Sequence, residues 1–416
     1  MGDKRGVAKC SLPEVSSIPI EMPPDLRTKI NALAEKHFPE MVRIRRTIHA
    51  NPELAFEEYA TSALVAETLE RLGLQVKRGV AKTGVVASLH GKRNGKAVAL
   101  RSDMDALPIQ EATGLEFASK NPGKMHACGH DSHTAIGLGA AMILSELKEE
   151  ISGEVRFLFQ PSEEKVPGGA PYMIEEGALE GVSKIFGLHV LSQADAGSVG
   201  FCPGEMMASA DELYITIKGK AGHGARPHLT IDPIVVSAQV ILALQTLISR
   251  NLDPFAHGVV TIGGIHGGFA VNIVPPEVKL MGTIRAMSPE WRRFAHERIH
   301  EIVNGVCYSA RAEAEVRIDM GYPVLVNDER ETEFAESCAR DLFGEDRVFR
   351  AERLMASEDF AYYLEKVPGT YYRLGIRNEA QGISADIHND HFTIDESSMK
   401  AGAAMQAYLA IRGLSA

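Results

Sequence analysis

The feature of this sequence that most limits its fold is a repeated exchange between helical and strand periodicity through the first half of the chain. Apolar residues three and four positions apart predict helices, and short runs rich in β-branched residues predict strands. The predicted helices cover 26–48, 63–72 and 135–147, and the predicted strands cover 84–89, 97–101, 155–159 and 185–190. Strands that alternate with helices predict an α/β fold, in which a mixed sheet is flanked by helices.

The pattern changes after Cys202-Pro203-Gly204 and returns at Gly321. Between these points the predicted order is strand, helix, strand, strand, helix, strand, which forms an α+β unit of a four-stranded antiparallel sheet and two helices. The first domain is therefore predicted to be discontinuous. We predict an N-terminal tail at 1–22, a catalytic domain formed by 23–208 and 321–416, and an inserted domain at 209–320.

Composition and charge exclude several classes of partner. The formal net charge is −11 and no basic stripe with interleaved aromatic residues is present, so we expect no nucleic acid partner. Five scattered cysteines give no disulfide framework and are typical of a reducing compartment. The segment from Met1 to Pro24 lacks the apolar run of a signal peptide, and no stretch approaches the roughly 18 apolar residues of a membrane span. We therefore expect a cytoplasmic protein without a membrane segment.

A histidine-rich segment, His126-Ala127-Cys128-Gly129-His130-Asp131-Ser132-His133, is the first chemical signal. Cys128 and His130 are one residue apart, so in an extended or loop backbone both side chains turn to the same side. Thiolate and imidazole are ligands that suit a borderline-soft cation such as Zn²⁺. The spacing alone leaves a second interpretation open, a buried cysteine beside a surface histidine. His126 and His133 are either outer partners of a metal site or solvated side chains.

The second signal is a pair of neighbouring carboxylates, Glu163-Glu164, which follows a predicted strand and Pro161. One carboxylate offers a hard oxygen ligand, and the other is placed to accept a proton from water beside the metal. An ordinary acidic loop is the alternative. His189 and His388 are each ambiguous, because a lone histidine after an apolar run is more often a hydrogen-bonded core residue.

Position in the predicted sheet favours a site over scattered core polar groups. In α/β sheets the chemistry gathers beyond the strand ends. Five of the candidates are predicted to lie where a strand stops or is about to stop. They are Asp103, Asp105, Glu163, Glu164 and His189.

A different chemistry would use Cys128 as a nucleophile with a nearby histidine as its base. A cysteine hydrolase has no need of the adjacent pair Glu163-Glu164. A thiolate close to His130 is also what a bound metal creates by deprotonating the thiol. The sequence therefore favours metal-assisted hydrolysis.

Four motifs, taken in their order along the chain, resemble those of one family. They are Asp103-Met104-Asp105-Ala106-Leu107-Pro108, His126-Ala127-Cys128-Gly129-His130-Asp131, Gln160-Pro161-Ser162-Glu163-Glu164 and Ile387-His388-Asn389-Asp390-His391-Phe392. Together they resemble the amidohydrolase branch of the co-catalytic zinc peptidase family, which includes auxin-conjugate hydrolases, hippurate hydrolases and bacterial glutamate carboxypeptidases. The resemblance covers nearly the whole chain after the tail.

The resemblance implies a centre of two divalent metal ions. Its thiolate and imidazole ligands favour zinc, and its carboxylates also admit manganese or cobalt. Glu163 is then the general base that activates metal-bound water and carries the proton to the leaving amine. Asp105 is implied to orient a ligand. The implied ligands are Cys128, His130, Glu164, His189 and His388.

The inserted segment resembles the lid or dimerisation domain of that family, and a homodimer through this domain is implied. His223 is implied to steady the oxyanion, often in the site of the partner subunit. Asn272 and Arg285 are implied to hold a substrate carboxylate, Arg285 through a bidentate fork. Without the resemblance these three residues are ordinary loop or strand-end polar residues.

Two departures from the family pattern bear on the site. Other branches have histidine at the position of Asp103, so the metal count depends on whether Asp103 substitutes as a ligand or Cys128 bridges two ions. The segment His388-Asn389-Asp390 replaces a more common serine and proline after the histidine, which reshapes the pocket edge. This second departure concerns substrate preference more than chemistry.

The sequence therefore predicts a metal-dependent hydrolase that cleaves the amide of an N-acyl-amino acid, or of a similar amide with a free carboxylate. A dipeptidase or carboxypeptidase with the same metal centre is the alternative among enzymes. A binding protein that kept the fold and lost turnover is the alternative outside enzymes, and the complete set of candidate ligands with Glu163 argues against it.

Overall fold

The structure is a computed structural model, and it describes residues 24–415. The predicted tail at 1–22 lies outside the described residues. The helices are α1 (Pro24–His49), α2 (Tyr59–Arg71), α3 (His130–Glu146), α4 (Ala170–Glu175), α5 (Pro233–Thr246), α6 (Pro289–Ser309), α7 (Glu329–Phe343), α8 (Ala361–Leu364) and α9 (Ser398–Ser415). The strands are β1 (Gln75–Val80), β2 (Gly84–His90), β3 (Arg93–Asp103), β4 (Ser152–Gln160), β5 (Val182–Asp195), β6 (Val199–Phe201), β7 (Gly204–Met207), β8 (Asp211–Lys218), β9 (Gly222–His223), β10 (Gly258–His266), β11 (Ile273–Val274), β12 (Glu277–Ala286), β13 (Glu313–Met320), β14 (Leu325–Asn327), β15 (Val348–Arg350) and β16 (Gly369–Arg377).

A mixed sheet of eight strands forms the centre of the molecule, in the order β1-β2-β4-β3-β5-β16-β6-β15. The central strands β4, β3, β5 and β16 run parallel to their neighbours in this group, and antiparallel pairs flank them. Helices cover the sheet, so the prediction of an α/β fold with a mixed sheet flanked by helices is confirmed.

The alternation of side chains along each strand divides the hydrophobic core between the two faces of this sheet. On β3, Val98 and Leu100 belong to the core that includes α1, α3 and α9, whereas Ala97 and Ala99 belong to the core that includes α4 and α8. A parallel sheet with both faces covered must bury consecutive residues, which explains the unbroken apolar runs in the sequence.

A second sheet of four antiparallel strands, in the order β10-β12-β8-β13, is formed by the residues between Asp211 and Met320. Leu213, Ile215 and Ile217 alternate along β8 and pack against α5 and α6 in a separate core. The four strands of this sheet and the two helices follow the predicted order, whereas the two short strands β9 and β11 of the same segment were not predicted. The domain boundaries and the role of this unit as a lid or dimerisation domain stay predictions.

Asp211 lies where the chain enters the second sheet, and it is hydrogen-bonded to Gly321, where the chain leaves that sheet. Its carboxylate accepts hydrogen bonds from the main-chain N–H of Gly321 (3.1 Å) and from the guanidinium of Arg292, and it pairs with His296 at 2.8 Å. Burial raises the pKa of Asp211, but its bonds to His296 and Arg292 outweigh burial and lower that pKa to about 2. The carboxylate therefore stays ionised and holds both crossing strands together.

The expectation that no stretch approaches the apolar length of a membrane span is wrong. The helical stretch Pro233–Asn251 has the length and apolar composition of a membrane span, with a mean hydropathy of 1.4, and a third of it is buried. It combines α5 with one following turn, and it buries Val236, Val240 and Leu244 against the second sheet. A helix that packs in a protein core meets the same criteria of length and composition. This segment is apolar because it has two apolar faces, one buried against the second sheet and one not buried.

Arg101 ties together several strand ends beneath the site. Its guanidinium is fully buried and donates to Asp103 (2.5 Å), Glu358 (2.9 Å) and Asp359 (2.8 Å), while its Nε donates to Gln160 (2.9 Å). These acceptors come from β3, β4 and the loop before α8. Because each buried charge has a partner of opposite sign, the network satisfies groups that would otherwise be costly to bury.

Candidate metal centre

The loop before α3 approaches β5 so closely that only glycine fits at position 129. Gly129 has a φ of 89° and precedes the first residue of α3, His130. A Cβ on Gly129 would lie 2.6 Å from Cγ2 of Val190, well inside van der Waals contact. Glycine at this position therefore lets Cys128 and His130 face the strand that carries His189.

Cys128 and His189 form one side of the candidate centre. Sγ of Cys128 lies 3.3 Å from Nε2 of His189, and Nδ1 of His189 donates to the main-chain carbonyl of Val190 at 2.8 Å. That hydrogen bond sets the tautomer and leaves Nε2 as an electron-pair donor. The prediction that His189 stands at a strand end is wrong, because β5 continues to Asp195.

The carboxylate of Asp105 organises the other side. Oδ1 accepts from Nδ1 of His130 (3.2 Å) and from the main-chain N–H of Glu163 (2.9 Å), and Oδ2 accepts from the main-chain N–H of Glu164 (2.9 Å). Among the described residues, the buried Nε2 of His130 has no hydrogen-bond partner. Asp105 thus fixes the ring of His130 through Nδ1, leaves Nε2 without a hydrogen-bond partner in the described chain, and anchors the two glutamates beside it.

Glu164 and His388 complete the group. Nε2 of His388 lies 3.3 Å from Oε1 of Glu164, without the alignment of a hydrogen bond, and this oxygen has no other partner among the described residues. His388 adopts a φ of 63° and donates its main-chain N–H to the carbonyl of Ala127 at 2.7 Å. Its side chain is 51% exposed, so it lies at the mouth of the site.

The structure brings all five predicted ligands together. The donor atoms of Cys128, His130 and His189 lie within 4.8 Å of one another, and so do those of Cys128, Glu164 and His388. Cys128 belongs to both groups. The unpartnered nitrogen of His130 and oxygen of Glu164, both buried, suit a bound cation, since buried polar atoms are otherwise hydrogen-bonded.

The electrostatics of the site also suit a cation. Burial raises the pKa of Glu163 well above its usual range, and the carboxylates of Glu358, Glu164 and Asp359 raise it further. Burial lowers the pKa of His130, but the charges of Asp103 and Asp105 outweigh it and raise that pKa to about 10. A divalent cation at this point would offset an excess of negative charge that the protein itself leaves uncompensated.

The same electrostatics disfavour Cys128 as a free nucleophile. Burial raises the pKa of its thiol well above the usual range, and the charges of Glu164 and Glu163 raise it further. A nucleophilic thiolate requires an electropositive setting instead. The metal interpretation of this segment is therefore the better supported one.

Both carboxylate oxygens of Asp103 are already hydrogen-bonded to other side chains. Its Oδ1 accepts from Nδ1 of His133 at 2.6 Å, its Oδ2 accepts from Arg101, and His130 Nε2 is 3.8 Å away. His133 is buried and accepts the main-chain N–H of Val190 at 3.0 Å through its Nε2, so it supports the strand of His189 and is not solvated. His126 is also buried, and neither of its ring nitrogens has a hydrogen-bond partner among the described residues.

Several residues of the site carried no signal in the sequence. Glu58 accepts the main-chain N–H of Ser162 at 2.9 Å, and Tyr322 donates its hydroxyl to the carbonyl of Glu163 at 2.5 Å. Ser162 has a φ of 54°, so this turn is held by tertiary contacts. Glu358 lies within 4.8 Å of Glu163. These contacts join distant segments, and no local periodicity indicates them.

The three residues predicted to contact the substrate lie in two different places. Arg285 lines the same cleft as Cys128 and Glu163, a space of about 870 Å³ between the two sheets. His223 and Asn272 lie instead on the exposed ribbon of β9 and β11, where Gly224 donates to the carbonyl of Asn272 at 2.8 Å. Within the described chain neither residue lines the cleft. The roles of all three stay predictions.

A cleft with this set of donors beside a buried carboxylate defines a metal-dependent hydrolase. Comparison with known proteins agrees: the model of "Peptidase family M20/M25/M40" matches residues 99–412. The chain therefore belongs to this family of hydrolases.

Relatives and one solved structure extend the comparison. The chain is 43% identical to "Thermostable carboxypeptidase 2" of Saccharolobus solfataricus over 89% of its own length and 95% of the relative. It is 45% identical to "N-acyl-L-amino acid amidohydrolase" of Geobacillus stearothermophilus over 72% and 81% of the two chains. The crystal structure of the YXEP protein of Bacillus subtilis, described as a dinuclear metal binding peptidase, matches with a TM-score of 0.81 and 35% identity over 92% and 99%. The family resemblance found in the motifs is confirmed.

Replacing Asp105 with asparagine is expected to weaken zinc binding by about 10- to 100-fold, the usual cost of losing the partner of a ligating histidine. In either orientation of the asparagine amide, its NH₂ group faces at least one of the three N–H groups from which the carboxylate accepts a hydrogen bond, so that two donors meet. Competition with a fluorescent zinc chelator measures the change. Asp195→Asn, a largely exposed carboxylate on the same sheet, is the matched control, and equal zinc affinity in both variants would contradict the assigned role.

Proposed function

We propose that this hydrolase cleaves the amide bond of N-acyl-amino acids, or of similar amides with a free carboxylate, at a centre of two divalent metal ions. The observation that supports it most is the position of Cys128 in two groups of candidate donors, one with His130 and His189 and one with Glu164 and His388. Because both oxygens of Asp103 are taken by other residues, Cys128 is the better candidate for a shared ligand.

The thiolate and imidazole donors favour zinc, and the carboxylates also admit manganese or cobalt. When bound, such ions supply polarisation of an amide carbonyl and a water molecule of lowered pKa. We assign the remaining proton chemistry to Glu163. Its main chain is fixed by Asp105 on one side and by Tyr322 on the other, so its carboxylate is positioned to take a proton from water and give it to the leaving nitrogen.

The free carboxylate of the substrate is assigned to Arg285. This side chain is half-buried on the cleft wall, bonds only to Thr283 and to the carbonyl of Ile284, and forms no ion pair among the described residues. A guanidinium without a carboxylate partner beside a catalytic centre suits bidentate capture of a substrate carboxylate.

A carboxypeptidase is the second candidate, because a carboxypeptidase is among the 43% identical relatives. Both activities require the carboxylate that Arg285 is assigned to bind. They differ in whether the group on the other side of the amide is an acyl chain or a peptide. Release of amino acid from matched N-acetyl and N-glycyl substrates separates them.

Glu163→Gln is expected to keep both metal ions and to lower kcat by at least about 100-fold, in line with the loss of a general base. Cys128→Ser is expected to lose metal as well as turnover, because it removes the thiolate that both donor groups share. Metal content by plasma mass spectrometry and amino acid release by ninhydrin give the two readouts. Normal kcat in Glu163→Gln would remove this residue from proton transfer.

Arg285→Met is expected to raise KM for N-acetyl-amino acids by about 10- to 100-fold, because one charge-assisted contact is worth about 1.5–3 kcal/mol. The corresponding amino acid amides, which lack the carboxylate, should be affected much less. Initial rates over a range of concentrations measure both. Arg317→Met, an exposed arginine on β13 of the same sheet, is the control, and an equal rise of KM for acids and amides would exclude carboxylate binding by Arg285.

We also propose a homodimer formed through the second sheet. Its edge strand β10 has unpaired backbone groups on one side and exposes Val259 and Ile265. On α5, Val235 and Leu242 are seven residues apart and share an exposed face. Within the described chain, His223 and Asn272 are exposed and do not line the cleft, which supports a contribution to the site of the partner.

The dimer is tested by sedimentation velocity. We expect the unmodified protein to sediment as a dimer and the double variant Val235→Glu/Leu242→Glu to sediment as a monomer with turnover reduced by at least about tenfold, since His223 then lacks a site to complete. Tyr308→Glu, at a still more exposed hydrophobic position at the end of α6, should leave the dimer intact. A monomeric unmodified protein with full activity would contradict the proposal.

We place the enzyme in the cytoplasm. The four cysteines of the described chain, Cys128, Cys202, Cys307 and Cys338, are all buried and unpaired, as is typical of a reducing compartment. Cell fractionation tests the location, and recovery with secreted proteins would contradict it.

A further inference from the structure

Arg373 on β16 is a buried cation without a counter-ion. Three arginines of the described chain are at least nine-tenths buried: Arg45, Arg101 and Arg373, which is 4% exposed. Arg45 pairs with Asp131 and Glu396, and Arg101 pairs with three carboxylates. Within the described chain Arg373 forms no ion pair. Its one hydrogen bond goes to Sδ of Met207 at 3.0 Å, and it lies 5.5 Å from the ring centre of Tyr371.

The position of Arg373 is next to the candidate centre. In the register of β16 with β5, Arg373 is directly opposite His189. Alternation places it on the sheet face away from Tyr372 and Leu374, which belong to the core around α9. Its side chain contributes to the wall of the cleft that also contains Cys128, Glu163 and Arg285. A substrate bound at the centre would therefore lie beside this guanidinium.

A second cavity of about 760 Å³ adjoins the cleft and is also lined by Arg373. The cleft and the cavity share the walls formed by Leu354, Arg373 and Ile387. Of the four carboxylates that line the cavity, Asp195, Asp346, Glu352 and Asp386, two are already bonded to other side chains. Asp195 pairs with Arg377 at 2.8 Å, and Asp386 accepts from the hydroxyl of Ser192 (2.6 Å) and the amide of Gln193 (2.9 Å).

An unpaired guanidinium is costly to bury unless an anion joins it. Burial lowers the pKa of Arg373, and the opposing influence of Tyr371 and of the Glu358 carboxylate, which is itself paired with Arg101, is too small to offset the loss of solvent. A carboxylate from the substrate would provide the missing partner, and the space beyond the guanidinium is of the size of small-molecule sites. Two arginines that line the cleft therefore have no carboxylate partner within the described chain, Arg285 from the second sheet and Arg373 from the first.

We propose that Arg373 binds a carboxylate at the far end of the acyl group, so that the preferred substrates are N-acyl-amino acids whose acyl group derives from a short dicarboxylic acid. This inference rests on the proposed function, which assigns the carboxylate of the amino acid to Arg285. Hydrolysis of such a substrate breaks the amide C–N bond, consumes one water, and releases the dicarboxylic acid and the free amino acid.

The test compares N-succinyl-L-leucine with N-succinamyl-L-leucine, which has the same shape and a neutral amide at the end of the acyl chain. The unmodified, zinc-loaded enzyme is expected to prefer the succinyl substrate in kcat/KM by about tenfold to hundredfold, equivalent to about 1.4–2.8 kcal/mol. Arg373→Met should remove this preference and leave the rate on the succinamyl substrate within about threefold, because methionine keeps much of the volume and loses the charge. Arg373→Lys should restore part of the preference.

Arg377→Met is the matched control, since this arginine lies on the same strand and lines the same cavity but is 34% exposed and paired with Asp195. It should keep the preference of the unmodified enzyme. Thermal unfolding should show that Arg373→Met is at least as stable as the unmodified protein, because it removes an unpaired buried charge. An equal loss of rate on both substrates, or no preference in the unmodified enzyme, would overturn the inference.

Direct binding separates this inference from the proposed function. In the zinc-loaded Glu163→Gln background, calorimetry of the two leucine derivatives is expected to show the same tenfold or greater preference, lost on addition of Arg373→Met. If neither substrate is hydrolysed by the unmodified enzyme but the binding preference depends on Arg373, the proposed function fails and the carboxylate site stands. If both are hydrolysed and neither rate nor binding distinguishes them, the proposed function stands and the carboxylate site fails. A preference for N-acetyl-L-aspartate over N-acetyl-L-leucine that depends on Arg373 would place the carboxylate on the amino acid side and contradict the acyl assignment.

Discussion

The arrangement of the site depends on the three hydrogen bonds that the carboxylate of Asp105 accepts. One comes from the ring of His130 and two come from the main chain at Glu163 and Glu164, so a single side chain sets the positions of an imidazole, a carboxylate ligand and a proposed base. His130 is 25 residues from Asp105 in the sequence and Glu163 is 58 residues away. A carboxylate is required because both of its oxygens must accept, and an amide at this position would oppose at least one donor.

The buried carboxylates below the site share a cation in one place, and other buried charges near the site have no such partner. Arg101 pairs with Asp103, Glu358 and Asp359, and these contacts hold the ends of β3 and β4 against the loop before α8. Glu163 and Glu164 have no arginine or lysine partner within the described chain, and Arg373 has no carboxylate partner there. Since an uncompensated buried charge is costly, both gaps indicate ligands: cations at the glutamates and an anion at the arginine. The same reasoning therefore supports the metal centre and the acyl carboxylate site.

Much of the fold could be predicted from the sequence, because helices and strands that pack on a large sheet must repeat apolar residues at the helical and strand periods. The helix that begins at His130 and the strand that ends at Gln160 follow this rule. Short strands such as β6 and β15 escaped prediction, since three residues carry too little periodicity. The candidate ligands were found through local motifs. The roles of Arg101 and Arg373 were not, because the partners of Arg101 are up to 258 residues away and Arg373 is defined by a partner that the chain does not supply.

The most direct test of the central claim is the metal content of the purified protein together with the positions of the ions by anomalous diffraction at the zinc edge. The account predicts two zinc ions per chain that share Cys128, one with His130 and His189 and one with Glu164 and His388, and it predicts loss of amide hydrolysis when a chelator removes them. Full activity in protein that contains no metal would contradict the account, and so would ions bound at other residues.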